Sequence, residues 1–264
     1  MAEPAHRGRA ITFIFIGWSV ASIAGMPMAA WLGETFGWRT AFVAIAVMSA
    51  AAAVRLHVVM PTGVKPAALS RADWKAVLTH PVLMAMVLVT ALAGAGQFTL
   101  LSYAAPYYRL ALGATGTQIS LLFFWFGLFG LIGNTVVSRW IDRIGPGRAV
   151  MATMALIALS LLFWPLADGF VAMALVLTPW GLGCFACNSA QQARLGLAAP
   201  AFASALMALN SSAIYLGQAA GAASGGWLIA HGGYAPLNWL GLGWIVLAMA
   251  LSLWAARRST RAFA

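Results

Sequence analysis

Residues 149–190 read AVMATMALIALSLLFWPLADGFVAMALVLTPWGLGCFACNSA and carry a single charged side chain, that of Asp168. The apolar runs 149–166 and 170–190 each approach the roughly 20 residues that an α-helix needs to cross the hydrocarbon core of a bilayer. Only the residues from Leu166 to Gly169 separate the two runs. This stretch therefore predicts two transmembrane helices that are joined in a tight hairpin.

The composition of the whole chain extends this interpretation. It is 62% hydrophobic and only 8% charged, whereas soluble domains are roughly half apolar and a quarter charged. A soluble protein of 264 residues could not bury that much apolar surface, and the ten-residue alternation of membrane barrels is absent. We predict an all-α integral membrane protein with about eight transmembrane helices. The predicted spans are 11–33, 40–56, 81–105, 117–138, 149–166, 170–190, 205–230 and 236–256.

The basic residues predict how the chain is oriented. When both termini are placed in the cytoplasm, all of the 15 Lys and Arg residues except Arg39 and Arg109 fall on the cytoplasmic side. This bias is the one that orients membrane proteins. We therefore interpret the net charge of +10 as a topology signal, and we predict no nucleic-acid partner. The expected location is the plasma (inner) membrane, with lipid as the surroundings of the bundle.

The sequence offers no constellation for catalysis. The four His and five acidic residues lie in loops or at span ends, whereas an active site needs an acid, a base, a nucleophile or a metal cluster held together. Cys184 and Cys187 form a C-x-x-C pair inside an apolar run, and we interpret them as packing residues in preference to a redox or metal site. We predict no enzyme activity, no metal and no cofactor.

The segment Arg139-Trp-Ile-Asp142-Arg143-Ile-Gly-Pro-Gly-Arg148 resembles the signature loop of the major facilitator superfamily. In that family the loop follows the second helix of each six-helix half. The resemblance implies that residues 81–264 form a complete C-terminal six-helix bundle, that 57–80 is the central cytoplasmic loop, and that 1–56 hold the last two spans of the N-terminal bundle. The resemblance further implies that the family's first four helices have no counterpart in the sequence.

The same loop suggests a gate. A carboxylate at a helix end can cap backbone N–H groups of a neighbouring helix and pair with arginine. We therefore expect Asp142, Arg143, Arg139 and Arg148 to hold the cytoplasmic face in one state. The alternative is a solvated loop whose charges serve topology alone.

Two further stretches resemble the drug:proton antiporter branch of the family. Gly25-Met-Pro27-Met-Ala29 is similar to the Gly/Pro-rich motif of the fifth helix, and residues 191–226 are similar to the corresponding helix of arabinose-efflux-permease-like members. The motif implies close helix packing at Gly25 and a bend at Pro27, although ordinary small-residue packing would also explain both.

The resemblance implies a secondary active transporter that exports a small solute by alternating access. The solute is expected to be partly apolar or polyhydroxylated. In antiporters the embedded charged groups for protons usually lie in the missing helices, and no carboxylate of this chain is predicted at membrane depth. We therefore expect no proton-coupled transport from these residues alone. The alternative is a truncated, non-transporting remnant or scaffold.

Helical periodicity in the span 205–230 predicts two faces. Gly217, Gly221 and Gly225 form a stripe suited to close helix contact, with Asn210 on the same packing side. The other, hydrogen-bonding face would be unfavourable in lipid but not in a water-filled cavity. The predicted substrate residues are the polar side chains of this face together with those of the span 81–105: Ser211, Tyr215, Gln218, Gln97, Thr99 and Tyr103. The alternative is that these groups bond one another or backbone carbonyls between helices.

Overall fold

The computed structural model describes residues 21–60 and 70–262, and the beginning of the first predicted span, 11–33, lies outside them. A π-helical turn at Ala21–Gly25 precedes the first α-helix. The described residues form ten α-helices and no β-strand. They are α1 (Met26–Phe36), α2 (Trp38–Val59), α3 (Arg71–Thr79), α4 (Pro81–Leu101), α5 (Ala104–Leu112), α6 (Gly116–Ile144), α7 (Pro146–Phe163), α8 (Phe170–Ala198), α9 (Ala203–Gly232) and α10 (Leu237–Ala262).

Six helices within these described ranges are long and apolar enough to cross a membrane. They are α2, α4, α6, α7, α8 and α10. Helix α9 has 30 residues, more than a bilayer requires, but its Asn, Ser and Gln side chains lower its mean hydropathy. The predicted fold class, an all-helical integral membrane protein, is confirmed.

The bundle consists of two groups of three helices. In the first, α4 packs against α9 and α10; in the second, α8 packs against α6 and α7. Contacts of α7 with α10, and of α8 with α4 and α9, connect the two groups. Helices α1 and α2 contact each other, and α1 also touches α6. Within the described part of α2, only Ala41 is buried.

A stripe of glycines determines how closely α9 approaches α4. A Cβ atom at Gly217 or Gly221 would overlap a backbone carbonyl of α4, and one at Gly225 would lie 2.6 Å from the carbonyl oxygen of Thr99. Ordinary contacts begin near 3.4 Å. Since a side chain would separate the backbones, glycine is what permits this contact. By contrast, a Cβ at Gly25 meets no atom within 4 Å, so the described structure shows no close contact there; Pro27 lies in the first turn of α1.

Several helices end at positions other than those expected. Helix α8 continues to Ala198 and α6 to Ile144, so Gln191, Arg194 and Asp142 are helical, not loop residues. The apolar run predicts where a helix leaves the hydrocarbon, but backbone hydrogen bonds extend the helix beyond that point. Helix α6 stops at Gly145, whose φ of +82° is a left-handed conformation that favours glycine. The third span breaks at Ser102 and Tyr103, before α5.

Helix α3 is a feature that sequence analysis did not foresee. It begins with a capping box: the Ser70 hydroxyl accepts from the Asp73 N–H, and the Ser70 N–H donates to the Asp73 carboxylate at 2.8 Å. Such reciprocal bonds satisfy two N–H groups at a helix start. Val77 is fully buried in a cluster with residues of α4 and α9. The segment between α2 and α4 therefore includes a short amphipathic helix that is docked on the bundle.

Candidate substrate cavity

A cavity of about 380 Å³ lies between the two helix groups. Its walls come from α4, α8 and α9, with Phe126 of α6 and Val150 of α7 completing them. Most lining side chains are apolar. The polar ones are five uncharged side chains: Thr90, Gln97, Asn188, Gln191 and Gln218. No Asp, Glu, Lys, Arg or His is found among the described residues that line the cavity.

The amide of Gln97 is held at both ends. Its Nε2 donates to the carbonyl oxygen of Ala93, one turn earlier in α4, at 3.2 Å. Its Oε1 accepts from Nε1 of the buried Trp180 at 3.1 Å. These two bonds fix the orientation of the amide, since each group has a partner of the opposite type. The bond to Trp180 also ties α4 to α8 beside the cavity.

Gln191, a residue of α8, also bonds to α4. Its Nε2 donates to the carbonyl oxygen of Met86, and the amide cannot be reversed because that would place two acceptor oxygens together. The side chain is only 2% exposed, yet its Oε1 has no hydrogen-bond partner among the described residues. The Oδ1 of Asn188, one turn away on α8, is also buried and without a partner there. Both residues line the cavity, but these two oxygens are themselves buried in its wall, with almost no accessible surface.

Thr90 and Asn210 join α4 to α9 next to the cavity. The Thr90 hydroxyl donates to Asn210 Oδ1 at 2.6 Å, and both side chains are buried. A buried side-chain bond of this kind stabilises a helix pair modestly, by about 0.6 kcal/mol on average in membrane proteins. Asn210 thus lies on the packing side of α9.

The structure divides the predicted substrate residues among three places. Gln97 and Gln218 line the cavity. Thr99 bonds the carbonyl of Ala95 within α4, and the Tyr103 hydroxyl donates to the carbonyl of Ala222 on α9 at 2.7 Å. Both residues pack against the glycine stripe, since Thr99 and Tyr103 are the two residues that a Cβ at Gly225 would meet.

The other two predicted residues lie on the outer face of α9. Ser211 is exposed and bonds the carbonyl of Met207 one turn earlier. Tyr215 is 61% exposed. Neither lines the cavity formed by the described residues.

Thr90, Asn188 and Gln191 are polar cavity residues that sequence analysis missed. Gln191 lies just beyond the predicted span 170–190, because the sequence from Gln191 to Pro200 predicts a connection between spans. The spacing offered a usable signal: Cys184, Cys187, Asn188 and Gln191 follow the i, i+3, i+4, i+7 pattern of one helix face. The structure brings this whole face to the cavity. Both thiols are free, and no group of three metal-ligating side chains occurs in the described ranges.

The predicted gate residues lie at the far end of α6 and the start of α7. Arg139, Asp142, Arg143 and Arg148 are all exposed. The Arg143 guanidinium lies 5.1 Å from the ring centre of Trp140. Asp142 makes no ion pair with any described residue, and no side chain caps the start of α7.

Arg194 is the buried charge near this loop. It is 6% exposed, and its guanidinium donates to the hydroxyl and the carbonyl of Ser252 on α10 at 2.8 and 3.1 Å. A Cβ at Gly147 would lie 3.9 Å from its Nε. Arg194 therefore joins α8 to α10 beside the first turn of α7.

Comparison with known proteins defines the class of protein to which the chain belongs. The sequence profile described as Major Facilitator Superfamily matches residues 1–110 and 86–263. The chain is 31% identical over 257 residues to a protein named inner membrane transport protein YdhP from Escherichia coli strain K12, and equally to the protein of that name from E. coli O157:H7. These alignments cover 97% of the chain and 66% of each relative, so the chain spans less than two thirds of their length. It is a multi-pass membrane protein of a transport family. The chain belongs to the Major Facilitator Superfamily.

Proposed function

We propose that this chain is part of a secondary transporter that exports a small solute by alternating access. The observation that carries the proposal is the cavity between the two helix groups, which has five uncharged polar side chains in a mostly apolar wall. A concave, mostly apolar space with a few convergent polar groups is the usual form of a small-molecule site. Membership of a transport family makes a transported solute the natural occupant.

Close packing gives the cavity a firm wall. One group of three is held together by the glycine stripe of α9, and the other by Gly133 and Gly181 of the α6–α8 contact. In secondary transporters, alternating access is the rocking of one helix bundle against another around a central site. We therefore propose that residues 81–264 move as one body against the remaining helices of the transporter.

We further propose that proton coupling, where it occurs, uses carboxylates outside residues 81–264. The acidic side chains of that region are Asp142, at the end of α6, and Asp168, in the short connection before α8. Proton relays need ionisable groups that face the interior of the membrane domain. Both termini and the 57–80 loop are assigned to the cytoplasm from the distribution of basic residues.

The proposal can be tested in cells that express the 264-residue chain. Untargeted mass spectrometry would compare the ratio of intracellular to extracellular solutes for the native chain and for Gln191→Leu. The matched control is Gln192→Leu, because Gln192 is the next residue of α8 and does not line the cavity. We expect the ratio of at least one small solute to change with the native chain and with Gln192→Leu, but not with Gln191→Leu. A protonophore should leave the change intact. If no ratio changes with a correctly inserted chain, the remnant or scaffold interpretation is favoured.

A further inference from the structure

We propose that one face of α3 lies on the surface of the bilayer and binds the headgroups of anionic phospholipids. The face consists of Arg71, Lys75 and Leu78. The proposal is independent of the transported solute, because no residue of α3 lines the cavity. Three features lead to it: the place of α3 in the chain, the composition of its exposed face, and the basic end of α10 at the same end of the bundle.

Helix α3 lies where the chain enters the membrane. Only His80 separates Thr79, its last residue, from Pro81, the first residue of α4. Helix α4 is one of the helices that are long and apolar enough to cross a bilayer. Val77 is fully buried in a cluster with residues of α4 and α9, so α3 is held against the end of the bundle. An amphipathic helix in this position lies at the level of the lipid headgroups.

The residues of α3 fall on three faces when they are placed at 100° intervals. Val77 marks the face that packs on the bundle, and the half-buried Trp74 packs against the same cluster. A second face, about 60° wide, carries two cations and a large apolar side chain, all exposed: Arg71, Lys75 and Leu78. The third face carries small exposed side chains: Ala72, Ala76 and Thr79.

The second face suits a membrane surface better than water. Leu78 is 50% exposed, and at a membrane interface its side chain would enter the acyl boundary while Lys and Arg extend to the phosphates. Asp73 is the only acidic side chain of α3. It lies about 160° from Arg71, and its carboxylate accepts from the hydroxyl and the N–H of Ser70. The two cations therefore remain available to attract anionic lipid.

The end of α10 is a second indication of the membrane surface. Ala255 belongs to the same buried cluster as Val77, which places α3 and the end of α10 at one end of the bundle. Trp254 is 40% exposed, and the guanidinium of Arg258 lies 5.6 Å from the centre of its ring. Arg257 is also exposed. Tryptophan is enriched at the boundary of lipid and water, and basic side chains there attract anionic headgroups.

Lipid-specific quenching at α3 tests the proposal in the whole 264-residue chain. In a Cys184→Ser/Cys187→Ser background, Leu78→Cys or Ala76→Cys would be labelled with the fluorophore NBD. Each labelled chain would be placed in phosphatidylcholine nanodiscs that contain a fixed fraction of phosphatidylglycerol or phosphatidylcholine with a doxyl quencher near the headgroup. The loss of fluorescence, measured over a range of quencher fractions, gives the relative association of each lipid with the labelled position.

The two label positions distinguish the proposed lipid face from the face of small side chains. We expect strong quenching at Leu78→Cys and little at Ala76→Cys, which lies about 160° away on the helix. At Leu78→Cys, phosphatidylglycerol should associate at least about fivefold more strongly than phosphatidylcholine, since one basic side chain near the surface contributes roughly that factor.

Charge variants then test which residues cause the preference for phosphatidylglycerol. Arg71→Gln/Lys75→Gln should remove most of it, because glutamine keeps a long, helix-favouring side chain without the charge. Arg71→Lys/Lys75→Arg should keep it. The matched control is Arg39→Gln/Arg55→Gln, which removes the same number of charges from exposed positions of α2 and should keep the preference. Circular dichroism and thermal unfolding would show that each variant is folded.

Equal quenching at Leu78→Cys and Ala76→Cys, or no quenching at Leu78→Cys, would overturn the membrane contact and show that this face is covered by water or protein. Equal association of the two lipids would overturn the anionic class. A loss of preference in the α2 variant as large as that in the α3 variant would attribute the preference to net charge, and would contradict a binding surface on α3.

Discussion

The close contact between α4 and α9 makes a quantitative prediction for Gly225→Ala. The added Cβ would lie 2.6 Å from the Thr99 carbonyl oxygen and 3.1 Å from a ring carbon of Tyr103. Reaching an ordinary contact distance of 3.4 Å requires α4 and α9 to separate by about 0.8 Å, the difference between the two distances. Overpacking of this kind costs about 1–3 kcal/mol.

A matched control isolates the clash from the helix propensity of alanine. Gly243 is also helical, in α10, but a Cβ there meets no atom within 4 Å. Gly243→Ala should therefore be neutral or stabilising by up to about 1 kcal/mol. The propensity gain is the same in both variants, so Gly225→Ala should be about 1–3 kcal/mol less stable than Gly243→Ala.

The free energy of unfolding would be measured by SDS titration of the purified chain in mixed micelles, followed by tryptophan fluorescence. If the two variants differ by less than about 0.5 kcal/mol, which is typical of surface substitutions, the close contact between α4 and α9 is not required for stability.

Three further predictions concern the cytoplasmic face and the topology. Single cysteines at Lys65 and Thr115, in a chain whose native cysteines are replaced, should label from opposite sides of the membrane; labelling of both from outside would refute the orientation. In a full-length transporter that contains this chain, Asp142→Asn should slow turnover severalfold with little change in solute affinity, and a large loss of equilibrium binding would place Asp142 at the solute site instead. Hydrogen bonds from the Ser70 hydroxyl and, to a smaller extent, from the Ser70 backbone N–H hold the pKa of Asp73 below its ordinary value. The ionised carboxylate therefore stabilises the start of α3 at any pH above the ordinary pKa of Asp73. This stabilisation is lost as the pH falls through the lowered pKa of the folded protein. Ser70→Ala should raise that pKa in a carboxyl ¹³C NMR titration, and an unchanged value would show that the capping box has no effect on it.

The sequence predicted the parts of the fold that depend on hydrophobicity. Uncharged runs of sufficient length identify membrane helices because the bilayer penalises charge. The glycine stripe of α9 could be predicted because small residues at four-residue spacing suit close contact. The end of α8 could not, since Gln191 and Arg194 are polar residues whose partners, the Met86 carbonyl and Ser252, lie far away in sequence.

The cavity was only partly predictable for the same reason. A polar residue in a membrane helix has to face protein or water, and the sequence does not say which. Gln218 faces the cavity, whereas Tyr103 bonds the backbone of α9. Periodicity places residues on a face of one helix, but the neighbouring helix decides what that face contacts. The amides of Asn188 and Gln191 line a cavity only because α4 lies across from this part of α8.

Access to the cavity can be measured with the native cysteines, because Cys184 and Cys187 are the only two cysteines of the chain and both line the cavity. In a Cys187→Ser background, a small membrane-impermeant methanethiosulfonate reagent would be applied to right-side-out and to inside-out vesicles. Modification of Cys184 would be scored on a gel, by the loss of its reaction with a poly(ethylene glycol) maleimide added after denaturation. The chain with both cysteines replaced serves as the control for specificity. Alternating access predicts that Cys184 is modified from either side, since the cavity opens to each in turn. Modification from one side only, or from neither side until the protein is denatured, would contradict the central claim that this cavity is the transport site.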